Sequence, residues 1–131
     1  MTLTEKQILF TKNICRLLQW AFAAGFELKF GEALRTLEIQ QLYVATGRSK
    51  TLNSRHLSGL AVDFNIYYGG RLLFAPKASE EQYRNDIAIA HKLGKFWMSL
   101  HTDNVGGGDW DKDFETLDET FHDPYHFEMR P

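Results

Sequence analysis

Leu60-Ala61-Val62-Asp63-Phe64-Asn65-Ile66-Tyr67-Tyr68-Gly69-Gly70-Arg71-Leu72-Leu73-Phe74 is the stretch on which the fold turns. Apolar and aromatic side chains of the kind that suit a pleated surface dominate its first part and predict a strand from Leu60 to Tyr68. Gly69-Gly70 is a two-residue unit able to take the positive φ angles of a tight hairpin, so Arg71–Phe74 is expected to return antiparallel to it. Asp63 is the anomaly. A carboxylate inside an otherwise apolar strand is costly to bury unless it is paired or binds a metal.

The neighbouring segments follow from the same periodicities. Phe26, Leu28 and Phe30 alternate with Glu27, Lys29 and Gly31, which predicts a half-buried strand. Before it, a Thr4/Gln7 capping pair opens a helix running to about Ala24, with Ile8, Ile14, Leu17, Leu18, Ala21 and Phe22 inside and Gly25 as its stop. Leu37–Thr46 is a second, short helix closed by Gly47, and the polar run Arg48–Arg55 is a loop. Ser79 and Gln82 start a helix from Glu80 to about Leu93, with continuation past Gly94 left open. Asp103–Asp113, rich in glycine, is expected to be loop, and Tyr125–Met129 a short final strand. Helices mixed with antiparallel strands define an α+β domain.

Composition sets bounds on function. A length of 131 residues suits one domain, 1–131, and suffices for a core. The net charge is −2, and no cluster of Lys and Arg stands out, so a nucleic-acid partner held by phosphate contacts is not expected. No apolar run reaches the ~18–20 residues that cross a bilayer, and no basic-then-apolar leader opens the chain. A protein made in the cytoplasm, without membrane insertion and as a monomer, is therefore expected. The single cysteine, Cys15, has no partner for an intramolecular disulfide and reads as a buried or half-buried thiol.

Two separated segments hold the candidate chemistry. Ser54-Arg55-His56-Leu57-Ser58-Gly59-Leu60-Ala61-Val62-Asp63 supplies His56 and Asp63, and Asp123-Pro124-Tyr125-His126-Phe127-Glu128 supplies His126. Two imidazoles and one carboxylate suit zinc, with a fourth position for water whose pKa falls toward ~7. Gly59 lets the chain turn between the first two ligands, and the last strand can present the third. Asp123 is the candidate general base, against the alternative of an Asp-Pro turn initiator; His122 and Glu128 are next in line. Arg35 is a candidate for stabilising negative charge near the metal, against the alternative of a surface salt bridge. His91 and His101 carry no partner motif. Asp109, Asp111 and Asp113 alternate as in a calcium loop, but Phe114 and Thr120 stand where such a loop needs glycine and glutamate, which argues for a solvated acidic loop.

The pattern Ser54-x-His56-x-x-Gly59-x-Ala61-x-Asp63, followed by Asp123-x-x-His126, resembles the zinc peptidases of bacterial cell-wall metabolism. These comprise D-alanyl-D-alanine carboxypeptidases and dipeptidases and the L-alanyl-D-glutamate endopeptidases used as phage endolysins. Leu34-Arg35-Thr36 resembles the family's arginine segment and Gly107-Gly108-Asp109-Trp110 its Gly-Gly-x-Trp loop. The resemblance implies zinc held by His56, Asp63 and His126 in a cleft of a small antiparallel sheet flanked by helices. It implies Asp123 as base, Arg35 at the transition state and Ser54 shaping the substrate site. An aspartate at 123, where the dipeptidase branch has glutamate, implies the endolysin branch. The expected activity is hydrolysis of the L-Ala–D-Glu bond of peptidoglycan, from a host cytoplasm until released to the wall. The alternatives are a D-Ala-D-Ala peptidase on the same scaffold and a zinc-binding module without turnover.

Overall fold

Thr2 opens the first helix, α1 (Leu3–Ala23). Its hydroxyl accepts from the Glu5 N–H at 3.1 Å, and the Glu5 carboxylate accepts from the Thr2 N–H at 2.6 Å. This capping box lies two residues before the expected Thr4/Gln7 pair. Glu5 prevails because a carboxylate is a stronger acceptor than an amide and places negative charge at the positive end of the helix. The Gln7 amide is used elsewhere and donates to the Ser58 carbonyl at 2.7 Å. The buried face is Phe10, Asn13, Ile14, Leu17 and Ala21. Ile8 and Phe22, expected inside, are exposed, and so is Cys15. At about 100° per residue, these three fall well away from the direction of Leu17.

The computed structural model describes residues 1–49, 54–108 and 123–131. Strand β1 (Phe26–Phe30) pairs antiparallel with β2 (Ala61–Tyr68), from Phe26 opposite Tyr68 to Phe30 opposite Phe64. Between them lies α2 (Leu37–Ala45), capped by the Thr36 hydroxyl. Gly69 and Gly70 take φ of 61° and 80°, giving the expected tight turn into β3 (Arg71–Leu72). This strand is shorter than expected. Leu73 still donates to the Ile66 carbonyl, but Phe74 adopts φ of 59° and turns its N–H to the buried Asp86 carboxylate at 2.9 Å.

Helix α3 (Glu80–Leu100) starts at the expected Ser79 cap and runs straight through Gly94. At Gly94 the backbone of Gly106 lies close enough that an added side chain would touch the helix. Gly106 belongs to β4 (Asn104–Gly106), a strand inside the segment expected to be loop. It pairs with β5 (His126–Met129), which pairs in turn with β2, and the sheet order is β1-β2-β5-β4 with β3 on β2.

Alternation along the strands separates core from site. Val62, Phe64 and Ile66 of β2, with Phe127 and Met129 of β5, join Leu17 and Ala21 of α1 and Leu93 and Trp97 of α3 in one buried cluster. Asp63, His126 and Glu128 have the opposite parity and therefore share the other face. Trp97, fully buried, packs edge-on to Phe10 and Phe127, and its indole N–H donates to the Glu128 carbonyl at 2.9 Å. The result is the expected α+β class, with helices and a small antiparallel sheet. No helix among the described residues is long and apolar enough to cross a membrane.

Candidate metal centre

Strand register brings the first two candidates together. Asp63 and His126 are direct partners across β2 and β5, and Asp63 Oδ1 lies 2.9 Å from His126 Nδ1. His56 arrives from the loop before β2. That loop is anchored by the Arg35 N–H, which donates to the His56 carbonyl at 3.1 Å, and by Ser54 Oγ, which accepts from the His56 N–H at 3.2 Å. Gly59 turns the chain back toward β2 with φ of 68°. His56 Nε2 then lies 3.4 Å from Asp63 Oδ1. One ligand atom from each of His56, Asp63 and His126 falls within 4.8 Å of the others.

Donor chemistry decides whether this cluster fits a metal. The His56 ring is tied through Nδ1 to the Ala33 carbonyl, an acceptor, so Nδ1 carries the proton and Nε2 offers its lone pair. Nε2 is buried and has no hydrogen-bond partner among the described residues. An orphaned buried acceptor 3.4 Å from a carboxylate oxygen is unfavourable unless a cation lies between them. Zinc bonds of about 2.0–2.2 Å in a tetrahedron put donor atoms roughly 3.3–3.6 Å apart. The observed 3.4 Å and 2.9 Å separations lie near that range, and the residues fit the ion.

The electrostatics agree. Burial raises the Asp63 pKa, but hydrogen bonds and charges from His126 and His56 outweigh it and hold the carboxyl near about 2. Burial works against a charged His126, yet hydrogen bonds to Asp63 and Glu128 and the charges of Asp123 and Asp63 raise it to about 9. A cage that attracts a proton this strongly is built for positive charge. Asp123 differs. Burial is the largest influence and, with the Asp63 charge, lifts it to about 6, although His126, His56 and Arg35 pull the other way. Its Oδ2 lies 3.9 Å from His126 Nδ1, and its buried Oδ1 has no hydrogen-bond partner among the described residues.

Arg35 is not a surface charge, since its side chain is only 8% exposed. Glu32 grips it twice, at Nε (2.7 Å) and Nη2 (3.2 Å), while Nη1 donates to the buried Gln40 and to Ser54 Oγ at 3.5 Å. Ser54 is thus placed between the His56 turn and the guanidinium. His101 caps α3 and accepts from the Asp103 N–H. His91 sits in α3, and its buried Nε2 has no hydrogen-bond partner among the described residues. His122, the Asp109-Trp110 half of the Gly-Gly-x-Trp loop, and the acidic loop of Asp109, Asp111, Asp113, Phe114 and Thr120 lie outside the described residues. Sequence reasoning missed Glu32, Gln40 and the Ala33 carbonyl as supports of the site. Glu32 carried a signal: it precedes Arg35 by three residues with opposite charge.

Fold and site together define a small α+β domain with a His-Asp-His cluster, able to hold a metal ion, on the face of its sheet away from the core. Among known proteins, the chain is 34% identical over 95 residues to the L-alanyl-D-glutamate peptidase of Listeria phage A118, a match covering 72% of this chain and 30% of that relative. The chain therefore spans about a third of the length of the curated relative it matches. The L-Ala D-Glu endopeptidase ChiX of Serratia marcescens shares the fold, with a TM-score of 0.55 and 21% identity over 92% of this chain and 77% of that one. The vancomycin resistance D,D-pentapeptidase VanY from a VanB-type cassette, in complex with Zn(II), aligns with a TM-score of 0.47 and 20% identity over 92% and 70% of the two chains. No protein-family model matches.

Proposed function

We propose that this chain is a zinc-dependent peptidase of the bacterial cell wall that hydrolyses the L-Ala–D-Glu bond of peptidoglycan stem peptides. The observation that carries the proposal is a half-buried carboxyl, Asp123, whose buried Oδ1 has no hydrogen-bond partner among the described residues, next to three convergent side chains able to hold a metal. Similarity to the phage L-alanyl-D-glutamate peptidase supports the substrate. The domain 1–131 is taken as one catalytic unit, acting as a monomer and held in the host cytoplasm until it reaches the wall. It neither inserts in a membrane nor binds nucleic acid, in keeping with a net charge of −2.

His56, Asp63 and His126 would hold the ion, which supplies Lewis acidity that polarises a carbonyl and acidifies water. Asp123 takes the proton of the attacking water on its carboxylate and hands it to the departing amide nitrogen. Its raised pKa makes it a better proton acceptor than an exposed aspartate, while leaving it ionised at neutral pH. Arg35, clamped by Glu32 and Gln40, has one Nη2 hydrogen uncommitted among the described residues. In this account it meets the oxygen on which negative charge develops. Ser54 shapes the substrate side by fixing both the His56 turn and the guanidinium.

Digestion of purified peptidoglycan followed by mass spectrometry tests the proposal. Peptides beginning with D-glutamate, with L-alanine left on the glycan, are expected. Release of D-alanine alone would replace the endopeptidase with a D,D-peptidase. Absence of any product from protein that retains zinc would indicate a binding module.

A further inference from the structure

We propose that Glu128 is the positioning residue that orients the His126 imidazole, holding its Nε2–H so that Nδ1 is left to bind the metal. The proposal rests on the metal reading above and extends it to a residue outside the ligand set. His126 makes a contact from each ring nitrogen: Nε2 lies 2.9 Å from Glu128 Oε1 and Nδ1 lies 2.9 Å from Asp63 Oδ1. A neutral imidazole has one hydrogen to give, and an ionised carboxylate can only accept. With the hydrogen on Nε2, toward Glu128, the Nδ1 lone pair faces Asp63 Oδ1. His56 Nε2 faces that same oxygen. Three acceptor atoms then converge, an arrangement that a cation among them stabilises. Turning the ring over would put carbon atoms where both contacts now lie.

Glu128 is built to hold its place. It sits inside β5, opposite Ala61 of β2 on one side and Val105 of β4 on the other. Its carbonyl accepts the Trp97 indole N–H, and its side chain is only 12% exposed. Being two residues from His126, it projects from the same face of the strand. The small Ala61 across the ladder leaves it room. His56 is oriented in the same manner by the Ala33 carbonyl, so each imidazole is aimed by one fixed acceptor. With its carboxylate engaged by His126, Glu128 is not available as the general base, and that role stays with Asp123.

The test is a competition titration of zinc against a chromophoric chelator for the parent chain, Glu128→Ala and Glu128→Gln, with melting temperatures recorded alongside. Loss of an outer partner of this kind weakens metal binding roughly 10–100-fold, and that loss is expected for Glu128→Ala. The glutamine amide oxygen can still accept from Nε2–H, so Glu128→Gln should recover most of the affinity. Parental affinity in Glu128→Ala, or no recovery in Glu128→Gln, overturns the proposal. Nitrogen-15 imidazole spectra of the zinc-loaded parent give a check that needs no variant. They should show a protonated Nε2 and a metal-bound Nδ1 at His126; the reverse assignment also overturns it. A parent chain that binds no zinc at all would instead remove the underlying metal centre.

Discussion

Gly107 is where a single methyl group should separate catalysis from metal binding. The Gly107 N–H donates to the His126 carbonyl at 2.8 Å, and its carbonyl accepts from the Asp123 N–H at 2.9 Å. The His126 N–H donates in turn to the Asp123 carbonyl at 2.9 Å, so this small ring of bonds sets where the Asp123 carboxyl sits. A Cβ on Gly107 would run into the Asp123 carbonyl oxygen and meet Asp123 Cβ at 3.0 Å. Neither neighbour is the free end of a flexible side chain, so the 123–124 backbone must move. Loosening the two Gly107 bonds, at roughly 0.5–1.5 kcal/mol each, should lower stability by about 1–3 kcal/mol. Moving the base by about 1 Å should cost on the order of 10²-fold in rate. Zinc content should stay near parental, because the Asp63–His126 pairing lies in the adjoining ladder. Gly108→Ala is the control: its Cβ would meet Pro124 at 3.6 Å, an ordinary contact. The assay is initial solubilisation of purified peptidoglycan, with zinc analysis and thermal melting on the same samples. Parental rate and melting temperature in Gly107→Ala would refute the idea that this close approach positions Asp123.

Asp123→Asn should keep zinc and fold but lose about 10²–10⁴-fold in rate, since the amide cannot take a proton from water; activity within a few-fold of the parent would move the base elsewhere. Arg35→Lys keeps the charge but loses the planar fork that Glu32 and Gln40 grip. It should lose roughly 10²–10³-fold in kcat without rescue over Arg35→Ala, and near-parental kcat in both would exclude a transition-state role. Asp86 supplies a pH prediction remote from the site. Burial raises its pKa, but hydrogen bonds from Arg71, the Phe74 N–H and Gln82, with the Arg71 charge, bring it below the usual aspartate value. A depressed folded-state pKa gives stability that is complete above the unfolded value of about 3.9 and is lost as pH falls through the folded one. Asp86→Asn should therefore cost about 1.5–3 kcal/mol at pH 7 in urea unfolding, with the gap to the parent closing below about pH 4; a gap independent of pH would refute this.

Much of the site was legible because Asp63 breaks an apolar strand and His126 recurs on another strand that could reach it. Alternation alone then puts Asp63 and His126 on the face away from the core. The β2–β3 hairpin was legible in Gly69-Gly70, whose observed φ angles are both positive. Strand β4 was not legible. It is three residues long, only Val105 is a strong strand former, and it exists because β5 offers a ladder. The length of α3 was obscured by Gly94, a weak helix former that the helix nonetheless runs through; the close contact with β4 lies on the other side, where a Cβ on Gly106 would meet the Gly94 Cα at 3.4 Å. The supports of the ligands were hidden for a different reason. The Ala33 carbonyl is backbone, which no residue type announces. Glu128 read only as a fallback general base, and its place beside His126 Nε2, at 2.9 Å, depends on the strand direction.

The central claim is that hydrolysis of cell-wall peptide depends on an ion held by His56, Asp63 and His126. It is tested most directly by measuring peptidoglycan hydrolysis by the parent chain before chelation, after chelation, and during stepwise return of zinc. The account predicts that activity disappears with the metal and returns in proportion to zinc, reaching its plateau at about one ion per chain, as expected for one three-ligand site. Undiminished hydrolysis by the metal-free protein would contradict it.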